Sequence, residues 1–264
     1  MAGAGSVIHL AAAAHERAQA HERRSDYEAL RRVNALATER LAREAARAGV
    51  EHFVFLSTIG VCGDETSGTP FTEDCAPGPR SLYAASKLEA ERRLAAVSAE
   101  TGLAVTILRP TLVYGPGNRG NFRRLLQAVD RGWPLPFASV DNRRSLTYVG
   151  NLVSALVAVL GRREAAGTFV VCDAEALSTP QIVRALAAGL GRPARLFALP
   201  PAALRLAGKA AGRPDLARRL VGSLEADCGK LERVLGWHPP FSPAQALAET
   251  AAWFRSQRPR GGSG

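Results

Sequence analysis

Tyr83 and Lys87 are the residues of this sequence whose types and spacing best suit proton transfer. Leu82, Leu88 and Leu94 recur around them at helical spacing, which predicts a helix that places positions i and i+4 on one face. A free phenol has a pKa of about 10 and is a poor base at neutral pH. A neighbouring ammonium lowers that pKa, so the pair predicts a tyrosine that exchanges a proton with a substrate hydroxyl or carbonyl.

The alternative interpretation of the pair is a solvated helix face on which tyrosine and lysine stand four apart by chance. Lysine is scarce in this chain and occurs only at positions 87, 209 and 230. With 4 tyrosines and so few lysines among 264 residues, roughly 0.05 such pairs are expected by chance. The spacing alone does not specify a function, so the surrounding motifs decide its interpretation.

The scaffold around the pair is predicted to be a parallel sheet. Three short apolar runs predict its buried strands, at Val7–Leu10, Phe53–Ser57 and Ala104–Leu108. Ligands of open parallel sheets bind beyond the carboxyl ends of the strands. Ser57 and Thr58 stand at such an end, so both are candidates for contacts with a bound ligand.

Several motifs in a fixed order resemble the extended short-chain dehydrogenase/reductase family, which includes nucleotide-sugar epimerases, dehydratases and 4-ketoreductases. The motifs are Val7-Ile-His-Leu-Ala-Ala12, Tyr83-Ala-Ala-Ser-Lys87, Arg109-Pro-Thr-Leu-Val-Tyr-Gly-Pro-Gly117 and Leu235-Gly-Trp-His-Pro-Pro240. The resemblance covers nearly the whole chain. It implies an α/β fold, with a Rossmann-like doubly wound parallel sheet and a smaller, mostly helical C-terminal substrate lobe.

The resemblance also implies the division of the chain into domains. Residues 1–112 and 145–173 would form a partial NAD(P)-binding Rossmann domain, and residues 113–144 and 174–257 the substrate-binding lobe. The last residues, 258–264, are expected to be a disordered tail.

The sequence departs from the family at its start. Relatives begin with a strand, a Gly-x-x-Gly-x-x-Gly loop that holds the cofactor pyrophosphate, and a helix. Here the only nearby glycines, Gly3 and Gly5, precede the first predicted strand and lead into no helix. The sheet is therefore expected to lack its first βα units. Three explanations stay open: a longer native protein, a fragment that no longer binds NAD, or missing strands supplied by another chain.

Site residues follow from matching the family's motifs. The implied catalytic set is Thr58, Tyr83 and Lys87, with Ser57 as the alternative to Thr58 if the register shifts by one residue. Tyr83 would exchange the proton at the sugar O4, and Lys87 would lower its pKa and bind the nicotinamide ribose. The implied contacts to NAD or NADP are Leu10, Ala11, Ala12, Asn34, Ser57, Tyr83, Lys87 and Pro110.

Two further residues match family contacts to the nucleoside diphosphate of the substrate. They are Asn121 and Arg144, and a planar guanidinium suits phosphate oxygens. The alternative for Arg144 is a surface salt bridge. Relatives pair through two long helices, so a homodimer is expected through Tyr27–Ala48 and Tyr83–Thr101.

Composition bounds the remaining possibilities. The net charge is +10, but the arginines are dispersed among Glu and Ala along predicted helices, which argues against a nucleic-acid partner. No apolar run is long enough to span a membrane and no signal peptide is recognised, so a cytoplasmic protein without a membrane partner is expected. The widely spaced cysteines at 62, 75, 172 and 228 are interpreted as isolated reduced thiols, and no metal site is expected.

The sequence thus predicts an NAD(P)-dependent nucleotide-sugar 4-epimerase or 4-ketoreductase acting on a UDP-sugar. Two alternatives stay open. One is a non-catalytic remnant that binds a nucleotide or a partner protein. The other is a reductase of a steroid-like or flavonoid-like carbonyl.

Overall fold

The structure, a computed structural model, describes residues 3–14, 24–118 and 120–257, which form two compact units. Unit 1 comprises Met1–Thr111, Leu152–Cys172 and Leu224–Pro239. Unit 2 comprises Leu112–Asn151, Asp173–Ser223 and Pro240–Gly264.

The compact units differ from the predicted domains in two segments and at the boundary residues Leu112 and Asp173, which belong to unit 2. Residues 145–151 belong to unit 2, and residues 224–239 belong to unit 1. The assignment of cofactor and substrate to separate domains stays a prediction, because compactness does not reveal which ligand a unit binds. The predicted disordered tail, 258–264, lies outside the described residues.

The described helices and strands alternate along much of the chain. In chain order they are β1 (Ser6–His9), α1 (Arg24–Arg31), a π-helical turn (Arg32–Leu36), α2 (Ala37–Arg47), β2 (His52–Leu56), a 3₁₀ turn (Ile59–Val61), α3 (Leu82–Thr101), β3 (Ala104–Pro110), β4 (Leu112–Tyr114), α4 (Asn121–Asp130), β5 (Leu146–Tyr148), α5 (Val149–Val159), a 3₁₀ turn (Arg163–Ala165), β6 (Gly167–Val171), α6 (Thr179–Leu190), α7 (Pro201–Ala210), α8 (Pro214–Val221), α9 (Gly229–Leu235) and α10 (Pro243–Ser256).

Unit 1 is built on a parallel sheet with the strand order β1-β2-β3-β6. Phe53 and Phe55 on one face of β2 and Val54 on the other are fully buried, as expected for a strand that is covered on both faces. Because all four strands run the same way, their carboxyl ends share one edge of the sheet. The predicted α/β class with a parallel sheet is confirmed.

Two helical segments, α1–α2 and α3, pack beside each other in unit 1. Their inner faces meet β2 and β3 in an apolar cluster that includes Ala42, Leu94 and Val97. The predicted helix over Tyr27–Ala48 is present, but it begins at Arg24 and the π-helical turn interrupts it. Single π-turns inside helices recur at functional sites, and this one contains the buried Asn34.

Unit 2 combines the short parallel pair β4-β5 with helices α4, α6 and α10. Asp173 braces its interior: one carboxylate oxygen accepts from the Tyr114 hydroxyl at 2.9 Å, and the other accepts from the Tyr148 backbone N–H and the Asn151 amide, both at 2.8 Å. A buried carboxylate with three donors is satisfied, so this cluster is structural.

The prediction of four isolated thiols is wrong. Cys62 and Cys75 form a disulfide with a Cα–Cα distance of 5.7 Å. The loop between them folds back, and the Gly78 N–H donates to the Val61 carbonyl at 2.9 Å. Cys228 lies beside Cys172, whose backbone carbonyl accepts from the Cys228 thiol at 3.5 Å. Sequence spacing did not reveal either approach, because both depend on how distant segments fold.

Neither a membrane-spanning helix nor a cluster of metal ligands occurs among the described residues. No helix in residues 3–14, 24–118 or 120–257 combines the length and apolar character that a membrane span requires. The same residues contain no cluster of three or more His, Cys, Asp or Glu side chains suited to a metal ion.

Candidate active site

Thr58 stands just beyond the carboxyl end of β2. Its backbone is extended, and its hydroxyl oxygen accepts a hydrogen bond from the Gly60 N–H at 3.2 Å, which caps the 3₁₀ turn Ile59–Val61. A Cβ at Gly60 would lie 3.4 Å from the Ala84 side chain, so this turn packs against the first turn of α3. The small residue at position 60 therefore brings the turn that carries Thr58 close to the helix that carries Tyr83.

Helix α3 begins at Leu82, directly after its N-cap residue Ser81. Ser81 has an extended backbone, and its hydroxyl oxygen accepts from the Ala84 N–H at 3.2 Å. The helix then presents Tyr83, Lys87 and Glu91 at i, i+4 and i+8, along one face. The predicted alignment of Tyr83 with Lys87 is thus built by a serine cap that sequence reasoning did not single out.

Lys87 is almost completely buried, with 1% of its surface exposed. Its ammonium lies 3.9 Å from the centre of the Phe55 ring, a cation–π contact with the sheet. Burial lowers the pKa of Lys87 to about 8, while the charge of Glu91 acts in the opposite direction. The ammonium is therefore poised to lose its proton only slightly above neutral pH.

The expectation that Lys87 lowers the pKa of Tyr83 stays a prediction, because the structure shows only the effect of burial on this phenol. Burial raises the pKa of the Tyr83 phenol above its usual value. The reason is that a buried phenolate loses its hydration, and the Lys87 ammonium contacts the Phe55 ring. Tyr83 is held as a protonated phenol until further positive charge comes close.

Glu91 and Arg109 form a buried ion pair that sequence reasoning missed. Arg109 donates from Nη2 and Nε to the Glu91 carboxylate at 2.7 and 3.1 Å, and the hydroxyl of Ser57 also donates to Glu91. The Nη1 of Arg109 donates to the Glu73 carbonyl at 2.9 Å. This pair fixes the residue before Thr58. A signal was present, because Glu91 stands one further turn along the Tyr83–Lys87 face.

Asn34 braces the loop that follows β1. Its side-chain oxygen accepts from the Ala13 N–H at 2.7 Å, and its amide donates to the Ala13 carbonyl at 2.9 Å and to the Ser86 hydroxyl at 3.0 Å. The loop residues Leu10, Ala11 and Ala12 are exposed. Asn34 therefore ties that loop to the helix that carries Tyr83 and Lys87, and its contact with a cofactor stays a prediction.

The remaining predicted site residues fall in different places. Pro110 is buried at the end of β3 in unit 1. Asn121 and Arg144 belong to unit 2. Asn121 begins α4 and is exposed, whereas Arg144 is only 8% exposed and donates to the Gly222 carbonyl at 3.4 Å. Arg144 thus lacks the exposure of a surface salt bridge, and its contact with a diphosphate stays a prediction.

Unit 1 therefore gathers a phenol, an ammonium and a threonine hydroxyl near the carboxyl ends of parallel strands. Such a set can hold a hydroxyl or carbonyl oxygen and pass a proton to or from it. No group in the set is a nucleophile activated by an adjacent base, so covalent catalysis is not what these side chains suit.

Comparison with known proteins identifies the family. Residues 1–172 match the model of the NAD dependent epimerase/dehydratase family. The chain is 38% identical over 256 residues to UDP-glucose 4-epimerase of Vibrio cholerae, and the match covers 94% of this chain and 76% of that protein.

Solved structures agree on the fold. The structure of MoeE5 in complex with UDP-glucose and NAD matches with a TM-score of 0.73 at 29% identity, and covers 96% of this chain and 79% of that one. UDP-glucuronic acid 4-epimerase from Bacillus cereus in complex with NAD matches with a TM-score of 0.75 at 23% identity, and covers 96% and 73%. With its predicted resemblance and its parallel sheet both confirmed, the chain belongs to the NAD dependent epimerase/dehydratase family.

Proposed function

We propose that this chain is an NAD-dependent nucleotide-sugar 4-epimerase that acts on a UDP-sugar. The observation that carries the proposal is the Tyr83–Lys87 pair on α3, beside the Thr58 turn, in a chain 38% identical to a UDP-glucose 4-epimerase. A 4-ketoreductase would use the same side chains for one half of the reaction. That relative does not favour the two alternatives left open by the sequence, a non-catalytic remnant and a reductase of a non-sugar carbonyl.

Tyr83, Thr58 and Lys87 have different roles in the reaction at the sugar. As a phenolate, Tyr83 accepts the proton that leaves O4 and afterwards returns it from the phenol, and Thr58 donates a hydrogen bond that keeps O4 next to the Tyr83 oxygen. Burial keeps the phenol protonated, so its ionisation requires nearby positive charge. Lys87, one helical turn away, is the ammonium that the chain places along this face.

The nicotinamide end of NAD fits the residues of unit 1. Hydride acceptance and return at the sugar C4 is the chemistry that bound NAD would supply. Tyr83 and Lys87 provide donors suited to the ribose hydroxyls, and the exposed Ala11 and Ala12 leave room for close approach beside β1. We propose that the remaining contacts to the nicotinamide end come from Ser57, Asn34 and Pro110. The sequence contains no Gly-x-x-Gly-x-x-Gly loop, so we assign no residue to the pyrophosphate.

The substrate nucleotide is assigned to unit 2. Asn121 and Arg144 are the groups we propose for the UDP diphosphate, since an exposed amide at a helix start and a guanidinium both donate to phosphate oxygens.

A homodimer is also part of the proposal. Helices α1–α2 and α3 lie side by side, with the Tyr27 hydroxyl and Arg31 both donating to Glu89 at 2.9 Å. They present a two-helix surface that a second copy can match by two-fold symmetry. Light scattering should give twice the mass of one chain.

The catalytic assignment is tested by Tyr83→Phe. General acid–base catalysis by one side chain contributes about 10²–10⁴-fold, so turnover of the UDP-sugar should fall by at least about 100-fold. Affinity for UDP, measured by calorimetry, should be unchanged. The matched control is Tyr27→Phe, which removes a phenol hydroxyl from α1 and should keep turnover within about twofold. Equal turnover of Tyr83→Phe and the native chain would remove Tyr83 from the reaction.

A further inference from the structure

We propose that Cys62 and Cys75 are a redox-responsive pair, whose disulfide is opened and closed by exchange with small thiols and disulfides and holds the Thr58 turn in order. The Cα–Cα distance of 5.7 Å lies in the usual range for a disulfide. Both residues belong to unit 1.

A single 3₁₀ turn of backbone, Ile59–Val61, connects Thr58 to Cys62 of the disulfide. Thr58 caps the start of the 3₁₀ turn Ile59–Val61, and Cys62 is the residue that ends it. The Val61 N–H donates to the Thr58 carbonyl at 3.3 Å, and the Cys62 N–H donates to the Ile59 carbonyl at 2.9 Å. A displacement of Cys62 therefore acts on Thr58 across one short hydrogen-bonded turn.

The loop fastened by the disulfide joins the two halves of the proposed active site. Residues 64–80, all of them described, contain only an isolated bridge at Phe71 and no helix or strand. The loop starts after the Thr58 turn and ends at Ser81, the cap of the helix that carries Tyr83. The disulfide closes residues 62–75 of this segment and adds to its hydrogen bonds, such as the one from the Phe71 N–H to the Glu225 carbonyl at 2.8 Å. Opening the disulfide should therefore loosen the segment that joins the Thr58 turn to the Tyr83 helix.

The two sulfurs differ in access. Cys62 is buried, whereas Cys75 is partly exposed. The Nη1 of Arg109 lies 3.9 Å from the Cys62 sulfur and 3.8 Å from the Cys75 sulfur. A neighbouring guanidinium favours a thiolate, so the site suits thiol–disulfide exchange.

One thiolate of a small dithiol attacks the Cys75 sulfur, the Cys62–Cys75 bond breaks, and Cys62 leaves as a thiolate beside Arg109. The second thiolate of the dithiol then attacks its own sulfur in the mixed disulfide and releases Cys75. The protein gains two electrons and two protons, and the dithiol becomes a cyclic disulfide. A small disulfide such as oxidised glutathione reverses the process and is reduced to two thiols.

The Cys62–Cys75 pairing does not depend on the proposed function. Any effect of this disulfide on turnover of a UDP-sugar does rest on the proposed function. The test therefore uses the full chain and two readouts that do not require catalysis. The chain is equilibrated with oxidised glutathione or with dithiothreitol, and its cysteines are alkylated and mapped by mass spectrometry. Amide hydrogen exchange is measured for the peptide that covers residues 57–63.

With oxidised glutathione we expect a Cys62–Cys75 linked peptide, with alkylation confined to Cys172 and Cys228. With dithiothreitol we expect all four cysteines to be alkylated, faster exchange in residues 57–63, and a melting temperature lower by about 10 °C. Cys75→Ser should exchange like the reduced chain under both conditions. Cys228→Ser is the matched control and should keep the redox response.

Two results would overturn the proposal: alkylation of Cys62 and Cys75 after equilibration with oxidised glutathione, or equal exchange of residues 57–63 in both states. If Cys75→Ser fails to fold, the proposal is still tested by comparing the oxidised and reduced states of the native sequence. A chain that responds to redox but turns over no UDP-sugar supports the pairing and contradicts the proposed function.

Discussion

The buried pair Glu91–Arg109 gives the sharpest prediction for stability. The Glu91 carboxylate accepts two hydrogen bonds from Arg109, at 2.7 and 3.1 Å, and one from Ser57. The Arg109 side chain is only 10% exposed and the Glu91 side chain only 6%. Glu91→Gln keeps the shape of the side chain but leaves the guanidinium buried without a counter-charge.

The magnitude follows from that burial. Removing one partner of a buried ion pair destabilises a protein by about 3–5 kcal/mol. In a chain of this size each kcal/mol shifts the melting temperature by about 2–4 °C, so we expect a fall of about 6–20 °C. The control is Glu44→Gln on α2, whose carboxylate is 61% exposed and pairs with Arg47 at the surface. That change should alter stability by less than about 1 kcal/mol.

The assay is urea unfolding followed by circular dichroism, with the melting temperature as a second measure. A double variant, Glu91→Leu with Arg109→Met, should regain most of the loss, because it removes both charges together. If Glu91→Gln lowers stability no more than Glu44→Gln does, the buried pair is not what fixes Ser57 and the turn that follows it.

Two further predictions concern Lys87 and Asn121. The pKa of Lys87 is lowered from 10.5 to about 8, so the folded chain releases this proton first and the unfolding free energy should rise with pH between those values, by on the order of 1 kcal/mol per pH unit. Lys87→Met should lack this rise in urea unfolding from pH 7.5 to 10, and parallel curves for the two proteins would contradict the lowered pKa. Asn121→Ala should weaken UDP binding in calorimetry by about tenfold without a change in melting temperature, because the side chain is exposed. Gln127→Ala on the same helix is its control, and an equal affinity of the two variants would remove Asn121 from the nucleotide site.

Much of the fold could be predicted because its signals are local. Apolar runs such as Phe53–Leu56 became buried strands, and the i, i+4 spacing placed Tyr83 and Lys87 on one helical face. The order of the motifs then predicted the family, which the comparisons confirmed. Each of these inferences needed only the periodicity of a segment or the sequence of neighbouring residues.

The features that were missed depend on contacts between distant segments. Glu91 meets Arg109 and Ser57 only once β3 and α3 have packed beside β2. Cys62 meets Cys75 because the intervening loop folds back, and no local pattern encodes that return. The effect of burial on the pKa of Tyr83 was missed for the same reason. Spacing along a helix places a cation on the same face, but burial is decided by the whole unit.

The most direct measurement of the proposed activity follows a UDP-sugar in the presence of NAD. The chain is incubated with UDP-glucose and NAD, and the sugar signals are followed by proton nuclear magnetic resonance. Binding of NAD is checked separately by thermal shift, where a ligand at 100 times its dissociation constant adds about 2.7 kcal/mol. We predict that the C4 epimer appears with the native chain and not with Tyr83→Phe. A chain that binds NAD and leaves UDP-glucose and other UDP-sugars unchanged would contradict the proposed function.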